Sequence, residues 1–338
     1  MKYLLCTADA TVTYCESEPP HAAAGEIIAQ LTACGVCGTD ALKIYHPGYA
    51  KPQKLGHECV GVVAEVGEGV THFRVGQRIA FAHHVPDPTS HYSLHGSETM
   101  DPQFKRTNIE PGGFSEFIRL SPLHVQHTVI SIPDHVPDLR AVFMEPLACC
   151  LRALDRAPLS AGDTCLVVGI GAIGFLFLPL LHEAGVHVIT CDIRAERLEL
   201  AQRWGALASA LASDDVPALC RAHTEGRGVD LVILTALNQT TFEMALRAVR
   251  DGGTLMLFGG KPGTQLTLDF WPTFLREINI LTSYSATPAG LRHAMEFIAT
   301  HDYPFEQLVS HTFPLAEATQ GFELVHQGRA SKVVITPN

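Results

Sequence analysis

Three short stretches carry the side chains of a metal site: Cys34-Gly35-Val36-Cys37-Gly38-Thr39-Asp40, Gly56-His57-Glu58 about one strand and turn later, and Glu145-Pro146-Leu147-Ala148 far downstream. A thiolate, an imidazole and a carboxylate drawn to one point from separate segments suit zinc, and a position left open for a substrate oxygen makes such a site catalytic. Taken singly these residues say little. A lone Cys or His is more often a packed core residue, and Cys34 with Cys37 also has the spacing of a redox pair. Glu58 and Glu145 compete for the remaining coordination, and the sequence does not rank them.

A second chemistry is written in Gly169-Ile170-Gly171-Ala172-Ile173-Gly174, which follows an apolar run and opens a helical one. Glycines there let backbone approach a pyrophosphate, and the helix N-terminus stabilises its charge. The pattern alone is weak. The strand TCLVVG before it and Asp192 closing the next strand, HVITCD, make it specific. Asp192 is expected to bind a ribose 2′-hydroxyl and repel a 2′-phosphate, favouring NAD, with Arg194 as the one nearby feature that would suit NADP.

These groups need elements to hold them. Residues 1 to 140 read as short β-rich pieces broken by glycine and proline (YLLC, EIIAQLTAC, GVVAEVG, GQRIAFAHH, GGFSEFIRL), the pattern of a mainly antiparallel, barrel-like domain. VPDLRAVFMEPLACCLRALDRAP looks helical apart from Pro146, which a first helical turn tolerates, so Glu145 is expected at a junction of two helical pieces. From Asp163 the chain alternates apolar strands (TCLVVG, HVITCD, VDLVILTA, GGTLMLFG) with amphipathic segments (AERLELAQRWG, TTFEMALRAVR). That alternation demands parallel strands with crossover helices, a doubly wound α/β fold. INILTSYS is the expected last strand and a candidate dimer edge. PAGLRHAMEFIAT and SKVVITP then return the chain to the first domain.

With 338 residues the chain suits two domains, which imply a cleft. A net charge of -11 disfavours nucleic acid or an anionic membrane as main partner and leaves a small molecule. MKYLLCTADATVTY lacks the apolar core of a secretory signal, and no run of about 18 apolar residues could span a bilayer, so a cytoplasmic location is expected. Ten cysteines without a framework pattern should then be thiols or metal ligands, most of them, including Cys165 and Cys191, small buried hydrophobes.

CGVCGTD, LGHECVGVV, MEPLA and GIGAIG, in this order and spacing, resemble the zinc-dependent medium-chain alcohol and polyol dehydrogenases, the family of sorbitol, galactitol-phosphate and threonine dehydrogenases. The resemblance runs from the first strand to the closing KVVITP. It implies a GroES-like catalytic domain over residues 1–140 and 286–338 and a Rossmann NAD-binding domain over 141–285. It also implies hydride transfer between NAD(H) and a secondary alcohol or polyol, or its ketone, in a homo-oligomer, dimer or tetramer. Cys37, rather than Cys34, matches the family's ligand, with His57, Glu58 and Glu145 completing the metal set and Cys37, His57, Glu58 and Thr39 the catalytic group. Thr39 stands where the family places the hydroxyl that takes the substrate proton; a turn threonine capping backbone is the plain alternative. Gly169, Gly171, Ile173, Gly174, Asp192 and Arg197 fall on the cofactor positions, though a surface ion pair would also explain Arg197.

Two departures from the family pattern stand out. The relay histidine expected three positions after Thr39 is Leu42, so the proton must leave by the ribose, by water, or by a neighbour such as Tyr45 or His46. Between His84 and Asp101, where relatives carry four cysteines on a structural zinc, the same frame reads Asp87, Ser90, Ser93 and Asp101. Serine is a poor zinc ligand, so one catalytic zinc and no structural zinc is expected, with a substitute site of His91, His95 and the aspartates as the minor alternative. The lobe must then be ordered by packing and hydrogen bonds from His91, Tyr92, Glu98, Phe104, Lys105 and Arg106, or by a neighbouring subunit. Lys43, Lys51 and Lys54 leave an amino-alcohol or sugar-phosphate substrate as alternatives, and the two losses leave a non-catalytic cofactor-binding relative as a third.

Overall fold

A ten-residue strand, Ile27–Val36, is the spine of the β-rich part of the chain. The structure, a computed structural model, describes residues 1–337. Ile27–Val36 pairs antiparallel with Glu58–Val66, with Phe117–Leu120 and, at its far end, with Lys332–Thr336. Arg78–Phe81 and Val129–Ser131 extend the sheet on one side, and Val309–Pro314 extends it on the other, parallel to Lys332–Thr336. Lys2–Cys6 and Val12–Glu16 form a separate antiparallel pair. Ile27, Ala29 and Leu31 are buried among Phe81, Ile118 and Phe322, so alternate residues of the spine build this core.

The register decides what lies beside the end of that strand. Gly35 is opposite Glu58 on one flank and Val334 on the other. A side chain at Gly35 would meet Glu58 Oε2 at 1.9 Å and Lys332 Cε at 2.9 Å, so the glycine is needed for space, letting two side chains from distant strands meet above it.

The second unit carries six parallel strands in the order Ala208–Leu211, His187–Asp192, Thr164–Val168, Val229–Leu234, Val249–Leu257, Asn279–Thr282. Counted along this unit the order is 3-2-1-4-5-6, which puts the topological switch point between Thr164–Val168 and Val229–Leu234. All five residues of Thr164–Val168 are buried. That is why this strand reads as a continuous apolar run instead of an alternating one.

By internal packing the chain divides into Met1–Ala148 with the segment from Ala286 onward, and Cys149–Ser285. The division at Ala148 falls inside the helix Met144–Arg156, later than the boundary at 140 expected from sequence, because one continuous helix leads from the first unit into the second. A separate short helix, Asp138–Ala141, precedes it, and Glu145 and Pro146 occupy the first turn of Met144–Arg156.

Candidate functional site

Cys37 is the N-cap of the helix Gly38–Tyr45, immediately past the spine strand. His57 immediately precedes the neighbouring strand Glu58–Val66, which Glu58 opens. The thiol, the imidazole and the Glu58 carboxylate each offer one ligand atom, and these atoms lie within 4.8 Å of one another. His57 and Glu58 are buried and Cys37 is half-buried. One sulfur, one nitrogen and one oxygen donor in that space fit a zinc ion. Glu145, buried on its own helix, stands outside this group, although its charge acts on Lys332. Glu58, next to His57 in sequence, thus groups with the thiol and imidazole, while Glu145 is carried by a different element.

Two residues to which the sequence assigns no role hold the group together. Asp40 is fully buried, accepts the Cys37 N–H at 3.1 Å and the Gly56 N–H at 2.9 Å, and faces His57 Nδ1 at 3.6 Å. It ties the cysteine segment to the histidine segment and orients the ring, as carboxylates do behind metal-bound imidazoles. Burial raises the Asp40 pKa, but His57, Lys43 and the Gly56 N–H outweigh it and hold the carboxyl at about 2. Burial pulls the His57 pKa down, yet Asp40 and Cys37 carry it well above the usual imidazole range. The pocket favours a positive charge at its centre, which is what a bound metal cation would supply in place of that proton.

Lys332 is the other. It comes from the last strand, is buried, forms an ion pair with Glu58 Oε2 and donates to the Val36 carbonyl at 3.5 Å. Burial lowers its pKa, but Glu58, Cys37 and Glu145 more than compensate and the amine stays protonated. Asp40 lies within the quoted CGVCGTD stretch at the third helical position, where a capping-box carboxylate belongs. Nothing in the local sequence around Lys332 announces its partner.

Thr39 is exposed in the first turn of Gly38–Tyr45. Of the relay substitutes, Tyr45 stacks on His326 with ring centroids 4.4 Å apart, and His46 Nδ1 accepts the Gly48 N–H at 3.0 Å. Both are occupied locally.

In the second unit the glycine loop opens the helix Ala172–Glu183 with Gly171 as N-cap and no side-chain cap, so its N–H groups are left for a ligand. Gly169 has φ +90, and a side chain at Gly174 would meet the Gly169 carbonyl at 2.1 Å, whereas nothing lies within 4 Å of the position a Gly171 side chain would take. Two glycines serve close packing and the third fronts open space, a cradle that fits a dinucleotide pyrophosphate. Ile173 is half-buried in that first turn. Asp192 accepts the Ile170 N–H at 2.6 Å and the Arg194 N–H at 2.9 Å, and Arg197 stands 3.6 Å from it as an ion-pair partner.

The alcohol dehydrogenase GroES-like domain family matches residues 23–134, and the zinc-binding dehydrogenase family matches residues 172–300. An alcohol dehydrogenase of Geobacillus stearothermophilus is 31% identical, covering 84% of this chain and 84% of its own. The chain belongs to the zinc-dependent medium-chain alcohol and polyol dehydrogenases. A sorbitol dehydrogenase of Bacillus subtilis is 30% identical over 93% of this chain and 90% of its own. Among solved structures, a candidate zinc-binding dehydrogenase from Sinorhizobium meliloti bound to NADP superposes with a TM-score of 0.88 at 26% identity, covering 99% of each chain. This dehydrogenase is thus an oxidoreductase acting on CH–OH groups, with zinc and NAD(P) as its cofactors.

Its lobe between Val85 and Arg106 is knit by hydrogen bonds at the four positions singled out above. Asp101 Oδ1 caps the helix Pro102–Arg106 through Gln103 and Phe104 N–H and also accepts the Asp87 N–H at 3.2 Å. Ser93 Oγ donates to the Asp87 carbonyl at 2.6 Å, and Ser90 Oγ donates to Ser93 Oγ at 3.2 Å. Phe104 is buried beneath, its ring 4.9 Å from that of His84. His91 and Tyr92 are exposed on the short helix His91–Leu94, which buries no residue; the His91 ring lies 4.1 Å from that of His95 and 6.2 Å from that of Tyr92.

Proposed function

We propose that this dehydrogenase oxidises secondary alcohols or polyols, or reduces the matching ketones, using NAD(H) and one zinc per chain held by Cys37, His57 and Glu58. The clustering of those three donors within 4.8 Å carries the reading. When bound, zinc would supply Lewis acidity toward the substrate oxygen and the nicotinamide would exchange the hydride. The chain's own residues do the rest. Asp40 fixes the His57 ring, Lys332 balances the charge of Glu58, and the Thr39 hydroxyl takes the substrate proton and passes it to water, its neighbours Tyr45 and His46 being engaged elsewhere. Glu145 serves as a further charge partner of Lys332.

Asp192, at the end of its strand, favours NAD by accepting a ribose hydroxyl and repelling a 2′-phosphate, with Gly169, Gly171, Ile173 and Gly174 against the pyrophosphate and Arg197 steadying the carboxylate. A phosphorylated substrate is disfavoured because the nearby lysines are engaged: Lys54 with Glu110, Lys43 with the Lys54 carbonyl, Lys51 with the His46 carbonyl. A second copy of the chain is the proposed partner. The outer edge of Asn279–Thr282 has no strand beside it among the described residues, and the neighbouring helix Phe270–Leu275 exposes Phe270, Trp271, Phe274 and Leu275. Such an apolar edge calls for cover by pairing. A cytoplasmic location suits ten cysteines that are all free thiols.

The test is zinc content together with initial rates over a panel of secondary alcohols, polyols, threonine and sugar phosphates, with NAD and NADP. About one zinc per chain and turnover of a secondary alcohol or polyol with higher kcat/KM for NAD are expected. Zinc and NAD bound without turnover of any of them would make the chain a non-catalytic relative.

A further inference from the structure

His83 is one of a set of histidines packed next to the metal donors. Its ring lies between His57, at 4.8 Å between centroids, and His84, at 3.7 Å. Strand register explains the neighbourhood. Cys59 pairs with Phe81 in antiparallel strands, and two residues on in opposite directions come His57 and His83. The backbone at this point is fixed from behind. His124 Nε2 bonds the His83 carbonyl at 3.0 Å and its Nδ1 bonds Ser121 Oγ at 2.8 Å, while Thr128 Oγ1 donates to the Ala82 carbonyl at 3.2 Å.

The hydrogen-bonding ledger of these rings is uneven. His84 Nδ1 bonds the Thr107 carbonyl at 2.6 Å, and both nitrogens of His124 are bonded. His57 Nδ1, also without a hydrogen bond, at least faces the Asp40 carboxylate at 3.6 Å, and the ring stands among the metal donors. His83 is 9% exposed, and its Nδ1 is buried without a partner. A buried nitrogen with no hydrogen bond carries the whole cost of its desolvation, and a phenylalanine would fill the same stack without that cost. Such a polar atom beside the metal donors Cys37, His57 and Glu58 is placed to meet a bound substrate.

We infer that His83 selects the substrate: its imidazole hydrogen-bonds a second oxygen on the carbon next to the reacting one, so that vicinal diols and their α-hydroxy ketones are preferred to simple alcohols. This rests on the proposed function above. An apolar wall would discriminate only weakly between the two classes, whereas a site that leaves an imidazole unpaired when the second oxygen is missing discriminates strongly.

The test uses the full-length, zinc-loaded enzyme with NAD and compares kcat/KM for butane-2,3-diol and butan-2-ol. In His83→Phe the stack remains and the nitrogens go, so the diol-to-monohydric ratio should fall by about tenfold or more. His83→Asn, which keeps a polar atom near Nδ1, should recover part of that ratio and also tests the assignment should the phenylalanine variant not fold. Zinc content should stay at about one per chain in both. A smaller fall in the ratio, equal values for Phe and Asn, or loss of zinc would overturn the assignment, the last by making His83 a support of the metal. If the unsubstituted enzyme turns over neither alcohol nor any other member of the panel, the proposed function itself fails; turnover with an unaltered ratio defeats the role of His83 alone.

Discussion

The metal cluster and the lobe belong to the same unit and descend from the same pattern, yet they resolve their polar groups in opposite ways. In the lobe, Asp101, Ser90, Ser93 and the Asp87 backbone bond one another, so donors and acceptors are matched within the segment. In the cluster, His57 Nδ1 faces Asp40 at 3.6 Å, beyond hydrogen-bond length, and Glu58 needs a lysine from the other end of the chain. A set of side chains that completes itself has no call for a cation, while one that gathers a thiol, an imidazole and a carboxylate around a positive centre does. Position in the family frame does not decide this; the hydrogen-bonding capacity of the side chains does.

The strongest way to break the contrast is Cys37→Ser. Removing the thiolate should abolish zinc binding and lower kcat/KM by about a thousandfold or more, since Lewis-acid stabilisation is worth several kcal/mol. Metal analysis and initial rates check it, and the circular dichroism spectrum should be unchanged. A variant that keeps its zinc would move the site elsewhere.

Next is Lys332→Met, which leaves the Glu58 carboxylate buried without its ion-pair partner. Breaking such a pair from one side costs about 3–5 kcal/mol, and the loss should be largest in metal-stripped protein, because zinc on Glu58 would replace part of the missing charge. Urea unfolding with and without chelator measures both. Equal losses in the two forms would mean that Glu58 does not reach the metal.

The buried histidines give a pH effect of intermediate size. Burial pulls the His84 pKa to about 4 and lowers that of His124, so both are neutral when folded and take up protons on unfolding. Their contribution is whole above the unfolded histidine value of about 6.5 and is lost as pH falls toward the folded values. The melting temperature should drop between pH 7 and pH 5, and His84→Asn should shrink that drop.

The smallest effect belongs to the lobe. Asp101→Ala removes a helix cap worth about 1 kcal/mol and should speed proteolysis between Val85 and Arg106 with little change in zinc content. Chelation, conversely, should abolish activity and leave that segment's resistance largely as it was. Rapid cleavage there on chelation of wild-type but not on the Cys37→Ser change would reveal a second metal within the lobe.

Much of this molecule is legible from local pattern. Buried parallel strands announce themselves as apolar runs, and the glycine loop is read from its residue types together with the strand before it and Asp192 closing the next. Short strands such as Val12–Glu16, Ala208–Leu211 and Val309–Pro314 are not, because four to six residues are too few to show a clear period and their apolar residues do not form a continuous run. His91 and Tyr92 lie on a four-residue helix that buries no residue, so their rings meet each other and His95 at the surface.

The sequence by itself determined the two kinds of strand order, the donor types (a thiolate, an imidazole and one of two carboxylates), and the replacement of thiolates by serine and aspartate in the lobe. These depend on periodicity and on the chemistry of single side chains. Tertiary structure alone brought the Glu58 carboxylate within 4.8 Å of the Cys37 and His57 donors, set Asp40 against His57, and let Lys332 meet Glu58 over the bare face of Gly35. The physical reason is strand register: the final strand docks against Val36 across almost the whole length of the chain, and a carboxylate finds its cation only after that pairing is made.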